Sequence, residues 1–277
     1  MAGEQQPDST TLESLRTALW ESRSPKPRAR GKTMMIDFGP DEMGWTGPQG
    51  ITDLLEVCAE FIDYAKIYAM NGVVMPSAFV ADAVRRYREG GIKTFTGGIL
   101  FEYAYLRGQT VELAAFLKAL GVDGLEVSEN YVTLTPDARR RQIEAFQTAG
   151  FEVTYEFGRK EPEVPMRLND LESVVTDVLE LGVPHVIVEQ SEIDMLVDAD
   201  PEALEKLGSQ AWFPSIIIEA DPYRFPEQHA DLIRRLGPEV NLANIAPGQV
   251  YRLEGFRHGI GRAMGYSVLD DYQQPAE

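Results

Sequence analysis

From Thr33 onward, short apolar runs alternate with longer segments whose apolar residues recur at helical spacing. The period is roughly 30 residues, the size of one βα unit. The apolar runs predict strands at residues 33–37, 64–68, 93–96, 124–127, 153–157, 185–189, 215–219 and 241–245. Between them the pattern predicts helices near 50–61, 76–89, 110–120, 135–149, 168–181, 201–207, 225–236 and 248–258. Their ends are signed. Thr135-Pro136-Asp137 is an N-cap followed by proline at the first helical position, and Gly90, Gly121, Gly150, Gly182 and Gly237 each follow a helix. Eight strand–helix units in alternation imply a parallel sheet, and that number closes into a (β/α)8 TIM barrel of the α/β class. A doubly wound open sheet is the runner-up, weakened because no Gly-x-Gly-x-x-Gly turn follows the first strand. Residues 1–32 read as an N-terminal helix (Leu12, Leu15, Leu19, Trp20) and a Pro/Arg-rich arm, 33–262 as the barrel, and 263–277 as a tail.

A barrel carries its active site at the C-terminal ends of its strands. Those ends here hold Asp37, Lys66, Thr96-Gly97-Gly98, Glu126 with Ser128-Glu129, Glu156 with Arg159-Lys160, Glu189, Glu219 and Asn244. Charged residues in apolar strands cost several kcal/mol unless paired or bound to metal. Two or three of the carboxylates Asp37, Glu126, Glu156, Glu189 and Glu219 are therefore candidate ligands for a hard, oxygen-seeking divalent cation such as Mg²⁺. Ion pairing with Lys66 and Lys160 alone is the other reading. Residues 153–160 concentrate the chemistry: a buried strand, Gly158 at its end, then a carboxylate and two cations that can hold a metal and an anion.

Length and composition narrow the class. At 277 residues the chain fits one barrel. No apolar run approaches the roughly 20 residues that span a bilayer, and the first residues lack the apolar core of a secretory signal, so a cytoplasmic location is expected. The single cysteine, Cys58, sits on an apolar helix face and reads as core, and the three histidines have no zinc spacing. A net charge of −18 argues against nucleic acid and anionic membranes as partners. A small anionic substrate would need a local cluster of Lys and Arg.

At this level of detail the chain resembles a known family. The segments Thr96-Gly97-Gly98-Ile99-Leu100-Phe101-Glu102-Tyr103-Ala104, Leu125-Glu126-Val127-Ser128, Glu156-Phe157-Gly158-Arg159-Lys160, Val186-Ile187-Val188-Glu189, Ile218-Glu219-Ala220 and Val240-Asn241-Leu242-Ala243-Asn244-Ile245 are similar, in order, to phosphosulfolactate synthase. The resemblance implies a Mg²⁺-dependent barrel enzyme that adds sulfite to phosphoenolpyruvate and assembles as a homo-oligomer, a trimer being the expectation. It implies Lys160 as general acid and Lys66, Arg159 and Arg262 as partners of phosphate, carboxylate or sulfite. Backbone amides around Gly97, Gly98 and Asn244 complete the expected anion site.

The chain also departs from that pattern. Asp37-Phe38-Gly39 lacks the family's cation after the first strand, and Glu189-Gln190-Ser191-Glu192 lacks another after the sixth. Arg224, in a longer loop after the seventh strand, and His258 are candidates to replace them. The acids are kept while cations are lost, so two alternatives accompany the family reaction. One is a shifted substrate with an apolar portion facing Phe38, Trp45, Tyr68, Met70 or Tyr223; the other is a catalytically inactive barrel with a binding or stress-related role.

Overall fold

In the computed structural model, which describes residues 9–41, 44–45 and 47–272, eight parallel strands close into one barrel. They are β1 (Thr33–Asp37), β2 (Tyr64–Ile67), β3 (Lys93–Thr96), β4 (Gly124–Ser128), β5 (Glu152–Phe157), β6 (Val186–Val188), β7 (Ile216–Glu219) and β8 (Leu242–Ile245). Neighbours in sequence are neighbours in the ring, and β1 closes it by pairing with both β2 and β8. The open-sheet alternative is thereby excluded.

Side chains alternate across each strand, so one set faces the barrel axis and the other the surrounding helices. Met34, Tyr64, Phe95, Ile187, Ile217 and Ala243 form a closed apolar layer on the axis, separate from the larger core between barrel and helices. Phe95 fills space that Gly124 leaves open, since a Cβ there would lie 2.4 Å from the ring. Two residues further along, the axis positions are Ile36, Lys66, Glu189 and Glu219. The barrel therefore has an apolar floor with an ionisable layer directly above it.

The helices follow the expected signs. Thr135 Oγ1 accepts from Ala138 N at the start of Pro136–Thr148, and Gly121 adopts φ +80° after Thr110–Leu120. Besides the single turn Asn71–Val74, two longer helices lie where loops were expected. Gly98–Leu106 follows β3 almost at once, and Gln190–Ala199 follows β6. Both start at strand ends, so their N-termini come up to the layer of charged residues.

The arm is fastened rather than loose. Arg23 makes a doubly bonded pair with Glu254 (2.6 and 2.8 Å), Arg28 pairs with Asp63 (3.2 Å), and Lys26 donates to the carbonyls of Ala59 and Ile62. These anchors lie below β1, β2 and β8, on the face opposite the strands' C-terminal ends. The helix Ser9–Leu19 ahead of the arm keeps Leu12, Leu15 and Leu19 exposed. Cys58 is buried in the core.

Burial pushes the Glu254 carboxyl up, but bonds from His258 and Arg23 outweigh it and hold it at about 2. Because the folded value lies below the ordinary 4.5, the stabilisation is present above that pH and drains away as pH falls towards 2. Glu254→Gln is expected to cost about 3 kcal/mol at neutral pH. Between about pH 5 and about pH 3 it should flatten the acid loss, read as the urea midpoint. Equal pH slopes in both proteins would show that this pair is not an acid-sensitive clasp.

Candidate active site

Above the apolar floor, at the C-terminal mouth of the barrel, lies a cavity of about 400 Å³. Its ionisable lining comes from Lys66, Glu126, Glu156, Lys160 and Glu219. Lys66 Nζ lies 3.2 Å from Glu126 Oε1 and 3.9 Å from Glu219 Oε2. Lys160 Nζ lies 3.5 Å from Glu156 Oε1, 3.2 Å from Glu219 Oε1 and in hydrogen-bond contact with Glu189 Oε2. Four buried carboxylates thus face two ammonium groups, and charge balance among the six requires protons or a further cation.

Local backbone explains how Lys160 reaches this point. Gly158 takes φ +114°, and a Cβ there would lie 2.4 Å from Glu192 Cγ and 3.0 Å from Glu189 Cβ. The turn folds the chain back over the end of β5, so that Lys160 returns above Glu156. Gly98 is constrained differently. Its Cβ would fall 2.3 Å from Ser128 Oγ, and its N–H donates to Glu126 Oε2 at 3.1 Å. That carboxylate also sits at the positive end of helix Gly98–Leu106.

Burial raises Glu156 to about 7, with Lys160 opposing and Glu126 reinforcing the shift. Burial likewise pushes Glu126, Glu189 and Glu219 above the usual carboxylate range. Burial alone would lower Lys66, but Glu126, Glu219 and Glu156 together raise it to about 12. Lys160 is raised for the same reason, by Glu219, Glu156 and Glu189 against the burial cost. Both lysines are therefore ammonium ions, and Lys160, which lines the cavity, remains 29 % exposed at its side chain.

Oxygens of Glu156, Glu189 and Glu219 lie within 4.8 Å of one another, a donor set that suits a hard divalent cation. Glu219 Oε2 is buried without a hydrogen bond, and Glu126 Oε1 approaches Lys66 off the direction a hydrogen bond needs. The residues present fit such an ion. In their present arrangement Lys160 Nζ stands between the three carboxylates, as a monovalent counter-ion.

The other expected site residues divide. Gly97, Gly98 and Asn244 line the cavity, and Asn244 takes φ +58° with its Oδ1 buried and unbonded. Asp37 does not join the acids: its side chain points to the helix layer, accepting from Tyr87 Oη (2.7 Å) and Gly39 N (2.7 Å). Strand alternation is the reason, because Asp37 is one residue past the axis-facing Ile36. Arg159 turns outward, in contact with Thr133 Oγ1. Arg224 pairs with Asp194 at 2.7 Å, away from the cavity.

His258 and Arg262 lie on the opposite face. His258 meets Glu254 (3.2 Å) and the Trp20 ring (4.2 Å), while Arg262 lines a separate apolar groove with Arg16 and Trp20. Helix Val250–Arg257 carries the chain down the barrel wall, so residues beyond its end are at the bottom. Of the aromatic group, Tyr68 lines the cavity and Phe38 packs on it at 4.9 Å; Met70 packs against the core and Tyr223 is exposed. The side chain of Trp45 lies outside the described residues. Asn130, Tyr131 and Glu102 had not been singled out from sequence, although Glu102 stands inside the quoted Gly-Gly-Ile-Leu-Phe-Glu run.

A closed parallel barrel with an ion-lined cavity at its strand ends is the architecture of (β/α)8 enzymes. Among solved structures, orotidine 5′-phosphate decarboxylase from Pyrococcus horikoshii shares the fold at a TM-score of 0.50 and 11% identity, over 82% of this chain and 100% of that one. Sequence comparison is more specific: the model of the (2R)-phospho-3-sulfolactate synthase (ComA) family matches residues 21–262. Phosphosulfolactate synthase of Methanocaldococcus jannaschii is 30% identical over 240 residues, covering 83% of this chain and 92% of that protein. The enzyme of the same name from Bacillus subtilis is 25% identical over 245 residues, 86% of this chain and 93% of that protein. The chain belongs to the phosphosulfolactate synthase family of enzymes.

Lys66→Met is expected to destabilise the fold by about 3–5 kcal/mol, because it strands Glu126 without its counter-charge. Adding Glu126→Gln should recover part of that loss, measured by urea unfolding. A single variant as stable as the wild type would mean the pair carries no net charge burial.

Proposed function

We propose that this enzyme is a lyase that adds sulfite, or a related nucleophile, to phosphoenolpyruvate or a similar enol acid in the presence of Mg²⁺. The observation that carries the reading is the trio Glu156, Glu189 and Glu219 around Lys160 at the bottom of the cavity. The names of the relatives support it. Glu156, Glu189 and Glu219 would hold the metal, with Glu126 beside them, and a dication there supplies positive charge where the substrate carboxylate becomes more negative.

The sulfite lone pair forms a bond to the methylene carbon, and the electrons of the carbon–carbon double bond move towards the carboxylate. The adjacent carbon then takes a proton. Lys160 is the donor: it is protonated, and its partly exposed stem lets the ammonium leave the carboxylates for the substrate face. Lys66, fixed against Glu126, holds an anionic group of the substrate without moving. Gly97 and Asn244 border the same space, but the Gly97 N–H is given to Ile67 O (3.1 Å) and the Gly98 N–H to Glu126 Oε2, so these two amides are not open to an anion.

A related substrate is a second reading, favoured by a particular observation. Among the described residues Lys66 and Lys160 are the only cationic side chains lining the cavity, whereas Ile36, Tyr68, Ile99 and Tyr131 also face it. Each charge-assisted contact to an oxyanion is worth roughly 1.5–3 kcal/mol. A reactant with fewer charges and an apolar group would match this wall better than a pair of polyanions. An inactive barrel would draw on the same lost cations, and the retained acids and Lys160 argue against it. Among the described residues no helix is long and apolar enough to cross a membrane; a cytoplasmic location belongs to the proposal.

Phosphoenolpyruvate, sulfite and Mg²⁺ with the purified protein are expected to give 2-phospho-3-sulfolactate by mass spectrometry, and Lys160→Ala to lower kcat by about 10²–10⁴. Full activity of that variant would remove Lys160 from the chemistry. No product from folded wild type would defeat the family reaction and leave enol acids with an apolar group.

Self-association belongs to the same proposal, supported by exposed Leu12, Leu15 and Leu19 on the helix whose Arg16 lines an apolar groove with exposed Val57, Tyr251 and Tyr266. Leu15→Glu should shift the sedimentation coefficient towards that of a single chain. A wild type already monomeric, or a variant that sediments as before, would count against this surface.

A further inference from the structure

Helix Gly98–Leu106 buries a carboxylate that none of the steps above uses. Glu102 is 3 % exposed and accepts from four donors: Ser128 Oγ, Asn130 N (2.7 Å), Tyr131 N (2.9 Å) and Val132 N (3.0 Å). Three consecutive main-chain N–H groups converging on one carboxylate form a concave anion seat, here filled from within the chain. The segment after β4 has neither ladder nor helix to satisfy those donors. Glu102 holds residues 130–132 of it, and Glu129, accepting from Leu134 N, holds the turn that follows.

That segment carries Asn130 to the cavity wall. Asn130 Nδ2 donates to Gly158 O at 3.0 Å, which fixes the orientation of the amide. Its Oδ1 is then left buried with no hydrogen-bond partner among the described residues. A buried acceptor without a partner is costly, and a ligand that brings a donor removes the cost. Gly158 is also the turn that returns Lys160 to the site, so the amide joins the segment after β4 to the loop bearing the proton donor.

We propose that Glu102 is a positioning residue acting through Asn130, and that Asn130 Oδ1 accepts a hydrogen bond from an O–H of a bound oxyacid. A monoprotonated phosphate or sulfite offers such a group; a fully ionised carboxylate does not. The pair therefore selects the protonation state and kind of oxyanion admitted beside Lys160. The oxyacid assignment rests on the reaction proposed above, whereas the clamp itself does not.

Two measurements separate these parts. Hydrogen exchange followed by mass spectrometry should show the segment 129–133 exchanging about tenfold faster in Glu102→Gln than in wild type, with other segments unchanged. Glu102→Asp should restore part of the protection. Unchanged protection in Glu102→Gln would overturn the clamp. In steady-state assays with phosphoenolpyruvate and sulfite, Asn130→Ala should raise KM for one of the two by about tenfold with little change in kcat. Glu102→Gln should do the same, and the double variant should be no worse than either single one. Additive effects, or loosened exchange with both KM values unchanged, would reduce Glu102 to a structural role and overturn the proposal. A wild type inactive on these reactants would defeat the reaction and the oxyacid assignment, and the exchange result would still decide the clamp.

Discussion

Burying ions is the constraint on which the rest of the molecule depends. A carboxylate or ammonium moved from water into a protein interior loses several kcal/mol of solvation, and only close counter-charges return it. This barrel places Glu126, Glu156, Glu189 and Glu219 around Lys66 and Lys160 within one layer. Removing either lysine strands the carboxylates around it, whereas removing one acid relieves the repulsion among the others, so no member can change without shifting the rest. The excess of acid over base is what separates it from a structural salt-bridge cluster. It matches the charge of a dication, and it keeps Lys160 protonated.

The fold serves that layer in a simple way. Strand alternation sends every second residue to the axis, so Lys66, Glu189 and Glu219 follow the floor residues Tyr64, Ile187 and Ile217 at an interval of two, while β4 and β5 add Glu126 and Glu156. The floor of Met34, Tyr64, Phe95, Ile187, Ile217 and Ala243 closes the barrel below the charges. Glycines then admit what a Cβ would exclude: Gly98 lets helix Gly98–Leu106 approach Ser128 and Glu156, and Gly158 lets Lys160 return over β5. Small residues set the spacing, and the charges set the energy.

Much of this was legible in the sequence. The eight strands were visible because parallel barrel strands, buried on both faces, read as compact apolar runs bounded by glycine and polar turns. Four of the five expected acids meet at the site because they share axis-facing parity. Asp37 fails by one residue, a difference invisible until strand boundaries are known to the residue. Helix Gly98–Leu106 was missed because Leu100, Phe101, Glu102 and Ala104 are all buried, leaving no polar face and no amphipathic period. The misplaced His258 and Arg262 have a geometric cause. A helix of eight residues descends about 12 Å, and position along the chain does not say which face of the barrel comes next. Arg159 and Arg224 stood at the right strand ends, but the direction of a long side chain is fixed by its neighbours in space, Thr133 and Asp194.

The clasp between Arg23 and Glu254 spans 231 positions, and Lys32 N reaches the Asn241 side chain across 209. The seam between β1 and β8 is therefore sewn by residues far apart along the chain. During synthesis the N-terminal half emerges first, with the free edge of β1 bare until the last strand appears. An open parallel edge is a template for pairing with other chains. Until Glu254 has emerged Arg23 has no partner, so closure of the seam waits on residues more than two hundred positions away.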